Sequence, residues 1–160
     1  MDVVLQTLAS EFSDLPDLEQ ATRVTTRLLL AALLGGLLGW ERETKGKAAG
    51  LRTHMLVALG AAVFVMIPQQ AGLDDADLSR IIQGVVAGIG FLCAGTIIKG
   101  RGEEQVQGLT TAAGIWLTAA IGVAIGLGRE ASAVLATVFA FVILASLPVL
   151  DRWIDRRPRR

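Results

Sequence analysis

At 160 residues the chain has the length of a single domain, but 52% of it is hydrophobic, its mean hydropathy is +0.56 and its formal net charge is zero. Its charged residues stand in short clusters between apolar runs long enough to cross a hydrocarbon core of ~30 Å, which takes ~20 helical residues. That excludes a soluble catalytic domain, because the segments between the runs fall short of the ~50 continuous residues a core of its own requires.

The predicted architecture is an all-α membrane protein of five transmembrane helices, at about 24–40, 53–68, 81–98, 109–127 and 131–150. Residues 1–22 form an outer N-terminal segment, 23–150 the transmembrane domain and 151–160 a basic cytoplasmic tail. With the N-terminus outside, the inner segments carry 11 of the 15 Lys and Arg residues, which sets the orientation as N-out, C-in. No cleaved signal is expected, since the first 22 residues contain acids but no Lys or Arg.

In chain order, Val4, Leu5, Leu8 and Phe12 recur at helical spacing and predict a short helix lying in the outer interface. Pro16 breaks or restarts the helix, so the first span begins near Asp17. On that span Glu19, Arg23 and Arg27 follow at i, i+4 and i+8 and share a face. Arg27 is the clearest ionisable residue within any span, ~20 Å along the axis from Trp40, which marks the inner interface. Two readings stand open. Arg27 reaches outward to Asp74, Asp75 or Asp77 and fixes helix packing, or it faces a pathway or partner.

Gly35, Gly36 and Gly39 supply small-xxx-small spacings for close helix packing. The charged loop that follows opens with Glu41, Arg42 and Glu43. Carboxylates at the carbonyl end of a helix call for a counter-charge, and Arg42, Arg52 and Lys99 are the candidates. Thr53 is the expected cap of the second span. His54 has no second His or Cys beside it and is expected to pack or hydrogen-bond rather than hold a metal. Pro68, Gln69 and Gln70 end that span, and the three Asp of the outer loop read as a solvated helix start, with weak divalent-cation binding as the alternative.

The third span carries Gly84, Gly88, Cys93 and Gly95, which permit either close packing or a helix broken around a cavity. Cys93 is the sole cysteine, which excludes an intramolecular disulfide. After the charged loop 99–107, GLTTAAGIWLTAA (108–120) parallels GLRTHMLVALGAA (50–62): both read G-L-x-T and both end A-A at an offset of 58 residues. The chain therefore reads as two hairpins, 24–68 and 81–127, in parallel repeat, followed by a fifth helix. Thr110 and Thr111 at the entry of the fourth span are the first candidates to complete a site at the inner end. Trp116, mid-span, is expected in the core. The tail DRWIDRRPRR acts as a stop-transfer signal and attracts anionic lipid.

These linked motifs, E-R-E after a Gly-rich span, GLRTHMLVALGAA, GVVAGIGFLCAGTIIKG and VQGLTTAAGIWLTAAIGVAIGLG, resemble the MgtC/SapB family of bacterial inner-membrane proteins over residues 23–130. Arg27, Glu41, Arg42, Glu43, Gly50, Leu51, Arg52, Thr53, His54, Gly108, Leu109, Thr110 and Thr111 fall on the family pattern. The resemblance implies a five-helix membrane domain in proteins linked to magnesium-limited growth and, in some pathogens, to survival inside host cells. Members have been discussed both as accessories of Mg²⁺ transport and as regulators of other membrane complexes. Two departures stand out: Cys93 replaces the Gly more usual in FLGAG, and the soluble C-terminal domain of many members has no counterpart here.

The expected function is that of a non-enzymatic regulator or accessory of another membrane complex, with a transporter or channel for Mg²⁺ or another small ion as the alternative. No catalytic residue and no cofactor is expected, since there is no nucleophile-base pair, metal cluster or phosphate loop; metal ligands are left unassigned. Nucleic acid is not an expected partner, because the basic residues flank spans without an aromatic platform. Membrane lipid, a second copy of the chain and another membrane protein are.

Overall fold

The structure, a computed structural model, describes residues 2–11, 13, 17–99 and 106–155. Phe12, Pro16, Arg101 and the last five residues of the basic tail lie outside the described residues. Six helices follow in order: α1 (Asp2–Glu11), α2 (Leu18–Thr44), α3 (Leu51–Gln70), α4 (Asp75–Thr96), α5 (Leu109–Gly126) and α6 (Glu130–Asp155). Between α4 and α5, β1 (Ile98–Lys99) pairs antiparallel with β2 (Val106–Gln107), a two-residue ladder that pins the ends of the second hairpin loop together.

Several helix boundaries have a chemical cause. Asp17 caps α2, its Oδ1 accepting from Gln20 N–H at 2.7 Å, and Asp74 caps α4 by accepting from Asp77 N–H at 2.8 Å. The C-terminus of α2 closes as a Schellman turn: Gly46 takes φ +62°, its N–H donates to Glu43 O, and Lys47 N–H donates to Arg42 O. The last turns of α3 and α5 close in the same way, at Gly72 and Gly128. α3 ends at Gln70, as the Pro68-Gln69-Gln70 stretch suggested; Pro68 sits inside its last turn, and the αL residue that closes it is Gly72.

Four helices, α2, α3, α4 and α5, are long and apolar enough to cross a membrane, and α6 carries a shorter described apolar stretch, Glu130–Ser146. The chain is thus a multi-pass membrane protein. α1 buries none of its residues. α5 is apolar around its whole circumference and lies at the centre, against α2, α3, α4 and α6, as expected for a helix with no polar face to give to solvent. α4 is one unbroken helix and sits at the periphery, with Leu78 its only buried residue.

Close approach sets the packing. α3 lies between two glycine-bearing faces. On one side a Cβ at Gly35 would stand 2.6 Å from the His54 carbonyl oxygen, and one at Gly39 would stand 2.7 Å from Leu51 Cα; Gly36 faces Met55. On the other side, Gly122 abuts the Ala58 carbonyl and Gly126 the Ala62 carbonyl. Backbones this near exclude any side chain and maximise dispersion contacts, which drive helix association where lipid removes the hydrophobic effect. Around them a core of Leu34, Leu38, Ala58, Ala62, Ile121 and Ile125 is buried to 5% exposure or less.

The two hairpins share a register. Gly35 faces the His54 carbonyl, and Cys93 donates its thiol to the Ala112 carbonyl at 3.3 Å, each partner displaced by 58 residues. Both G-L-x-T helices also begin at their Leu with Gly as N-cap. Two expectations fail on this frame. Trp116 is 48% exposed rather than core, on a side of α5 where it borders a cavity shared with Ile82, Val85 and Ile89 of α4. Gly84, Gly88 and Gly95 do not mediate packing between described helices, since a Cβ at each would meet no heavy atom within 4 Å.

Candidate functional site

The last turn of α2 carries the most buried charge among the described residues. Glu41 and Arg42 are 4% and 2% exposed, on a helix end that α6 covers. Their side chains form an ion pair, and Lys45 Nζ reaches the other oxygen of the carboxylate, Glu41 Oε1, at 3.1 Å, an ion pair without the alignment of a hydrogen bond. One anion is thus shared by two cations. Arg42 Nη2 and Lys45 Nζ also approach the Leu144 carbonyl at 3.5 and 3.4 Å, long contacts that bring α6 onto the cluster.

Glu43 points the other way. Its Oε2 accepts from Leu51 N–H at 2.8 Å, so a carboxylate at the C-terminus of α2 caps the N-terminus of α3. The position suits an anion, because exposed N–H groups and the helix dipole both favour negative charge there. This displaces Thr53 from its expected capping role: the helix starts two residues earlier, at Leu51, leaving Thr53 inside the first turn. Arg52 is exposed and pairs with no carboxylate among the described residues.

His54 follows one turn into α3 and is fully buried. Its Nδ1 donates to the Gly50 carbonyl at 3.0 Å; a carbonyl only accepts, so Nε2 is left as an acceptor. Nε2 points at Gly114 of α5 and has no hydrogen-bond partner among the described residues. Gly35 and Gly39 of α2 and Gly114 of α5 lie against His54, whose side chain fits because those two helices carry no side chain there.

Arg27 lies at the opposite end of α2. It does not reach Asp74, Asp75 or Asp77. Its guanidinium bonds Glu130 Oε1 at 3.3 Å, the Gly126 carbonyl at 3.0 Å and Gln69 Oε1 at 3.4 Å, binding α2 to α3, α5 and α6. Asp74 is engaged as the cap of α4 and Asp77 with Arg80, so the acidic loop has its own partners. A pocket of about 340 Å³ opens beside Arg27, lined by Asp17, Glu19, Gln20, Arg23, Gln69 and Gln70. Among the described residues no three His, Cys, Asp or Glu side chains converge as metal ligands.

The G-L-x-T entry of α5 lies at the Glu41 end. Thr111 is buried and Thr110 exposed, and together with Gly46, Lys47 and Ala48 of the first loop they line a pocket of about 480 Å³. The structure thus brings the first loop and the second helix entry together and leaves Arg27 apart. Sequence reasoning missed Lys45, Glu130 and Leu144. Lys45 was findable, being four residues beyond Glu41 on one helix face. Glu130 and the Leu144 carbonyl carry no local signal, lying about a hundred residues from their partners.

Comparison with known proteins fits this arrangement to a family. The MgtC family model matches residues 28–153. The protein SrpB of Synechococcus elongatus is 46% identical over 137 residues, covering 79% of this chain and 75% of SrpB. The putative magnesium transporter YhiD of Escherichia coli K12 is 42% identical over 74% of this chain and 57% of its own, and the protein MgtC of Brucella abortus 46% identical over 81% and 53%. The chain therefore spans little more than half the length of these last two relatives. No solved structure matches it. A family model that covers most of the chain and relatives above 40% identity lead to one conclusion: the chain belongs to the MgtC family.

Proposed function

We propose that this protein is a five-span inner-membrane protein, N-out and C-in, that serves as a non-enzymatic regulator or accessory of another membrane complex linked to magnesium homeostasis. The magnesium link rests on the family and on the name of its relative YhiD. The five-span, N-out orientation rests on the distribution of Lys and Arg.

One observation supports a regulator over a conduit. The two polar ends, at Arg27 and at Glu41, are separated by an apolar layer in which Leu38, Ala58, Ile121 and Ile125 are at most 1% exposed and the buried Thr118 and Thr137 hydroxyls donate to carbonyls of their own helices. An ion crossing there would have to leave its hydration shell with no oxygen ligand offered by those apolar side chains. The buried Arg42 and the half-buried Arg27 are also held by the chain's own Glu41 and Glu130, and Arg27 thereby staples α2 to α6. The peripheral α4, with Gly84 and Gly88 open and Phe91 88% exposed, supports a homodimer or a partner helix on that face.

The alternative, a transporter or channel, takes its support from the name of YhiD. The two separate in one experiment. Purified protein of verified orientation, reconstituted in vesicles loaded with a Mg²⁺ indicator, is expected to give no flux above protein-free vesicles. Saturable, protein-dependent flux overturns the regulator reading. Mild-detergent extraction is expected to retain a stoichiometric membrane-protein partner, and recovery of the chain alone counts against it.

A further inference from the structure

The two G-L-x-T entries differ in what their exposed N–H groups meet. At α3, Leu51 N–H donates to the Glu43 carboxylate. At α5, the N–H groups of Leu109, Thr110 and Thr111 have no acceptor among the described residues, and Gly108, the N-cap, has no side chain to provide one. Gly108 adopts φ +94°, which turns successive N–H groups toward one side. A Cβ there would collide with the Thr96 carbonyl, so the residue cannot carry a cap.

A second observation is independent of the helix end. Thr111 is 3% exposed and lines the adjoining pocket of about 480 Å³, and its hydroxyl makes no hydrogen bond among the described residues. That hydroxyl is not sealed from the cavity, so it is free to donate to an acceptor that enters. Lys47, exposed on the first loop, lines the same pocket and pairs with no carboxylate among the described residues. The groups gathered there are N–H donors, hydroxyls and an ammonium, beside the positive end of a helix dipole. That set suits an anion with several acceptor oxygens and repels a cation.

We propose that this pocket binds a phosphate group, through the N–H groups that open α5, the hydroxyls of Thr110 and Thr111 and the ammonium of Lys47. In the first hairpin the chain supplies the anion itself, as Glu43; in the second it takes one from outside. The phosphate comes either from an anionic lipid headgroup or from a soluble phosphate, since the pocket lies at the end of the spans, within reach of both.

The test uses the full chain in a neutral detergent. One arm titrates inorganic phosphate against chloride at constant ionic strength, read by ³¹P line broadening and by the unfolding midpoint. The other adds dioctanoyl phosphatidylglycerol or, as a phosphate-free match, dioctanoylglycerol, and counts bound lipid by native mass spectrometry. Saturable binding in at least one arm is expected, weakened at least tenfold in Lys47→Gln and in Thr111→Val and unchanged in Arg80→Gln. Phosphate alone identifies a soluble source, and phosphatidylglycerol alone a headgroup. Should Thr111→Val fail to fold, the exposed Lys47→Gln decides. Absence of saturable binding in both arms, or binding by Lys47→Gln at wild-type strength, overturns the proposal.

Discussion

Replacing Glu41 by Gln removes the one anion that two cations share. The Arg42 side chain is 3% exposed and that of Glu41 5%, whereas Lys45, at 35%, can turn to water. Arg42 has no such exit. With Glu41 neutral, its guanidinium keeps a long contact to the Leu144 carbonyl and whatever the Gln amide oxygen offers. Breaking a buried pair from one side costs about 3–5 kcal/mol, because an uncompensated charge stays out of water, and the remaining amide acceptor places Glu41→Gln at the lower end, about 3 kcal/mol. Removing both charges in Glu41→Gln/Arg42→Met leaves no orphan ion, so the double variant should cost less than Glu41→Gln alone, with a coupling of about 2 kcal/mol or more. Reversible unfolding in dodecyl maltoside at rising SDS fraction, followed by tryptophan fluorescence, measures each corner of the cycle. A cost below about 1 kcal/mol for Glu41→Gln, or additive single effects, would refute the buried-pair account.

The same assay distinguishes glycines of one sequence class. Gly39→Ala places its Cβ 2.7 Å from Leu51 Cα and 2.8 Å from the Gly50 carbonyl, atoms that cannot give way, so a loss of about 1–3 kcal/mol is expected. Gly84→Ala meets open space and should be neutral or stabilising by up to about 1 kcal/mol through helix propensity. Arg27→Gln should cost about 1.5–3 kcal/mol, since it releases charged hydrogen bonds that join four helices. Glu130→Gln, at a site 42% exposed, should cost under about 1 kcal/mol, and the reverse order would contradict the geometry. Glu43→Ala uncaps α3 and should cost about 1 kcal/mol, with faster amide exchange confined to its first turn.

Much of the arrangement was legible before the structure. Apolar runs bounded by charge clusters announced the helices, and the G-L-x-T identity at one offset announced a shared hairpin register, which the Gly35–His54 and Cys93–Ala112 contacts display. The start of α2 at Leu18, next to Asp17, was expected from Pro16 just before it, while the capping role of Asp17 was not. Signals of this kind are local: they depend on a residue's own backbone or on neighbours one helical turn away.

What escaped the sequence was every partner chosen across helices. Arg27 had three Asp as candidates on the α3–α4 loop, yet it takes Glu130, because the Schellman turn at Gly128 carries α6 back over the end of α2 and Asp74 and Asp77 are engaged elsewhere. Thr53 looked like a cap, yet Glu43 caps from the preceding helix once the turn at Gly46 folds it back. Gly35 and Gly84 look alike in sequence; the fold presses one against a carbonyl and leaves the other open. Sequence by itself determined the helices and the positions where backbones were able to meet, because propensity and hydrophobic length act within a few residues. Tertiary structure alone decided which charges pair, which glycines touch and which helix N-terminus stays open, because those outcomes depend on distances between segments that lie up to about a hundred residues apart in the chain.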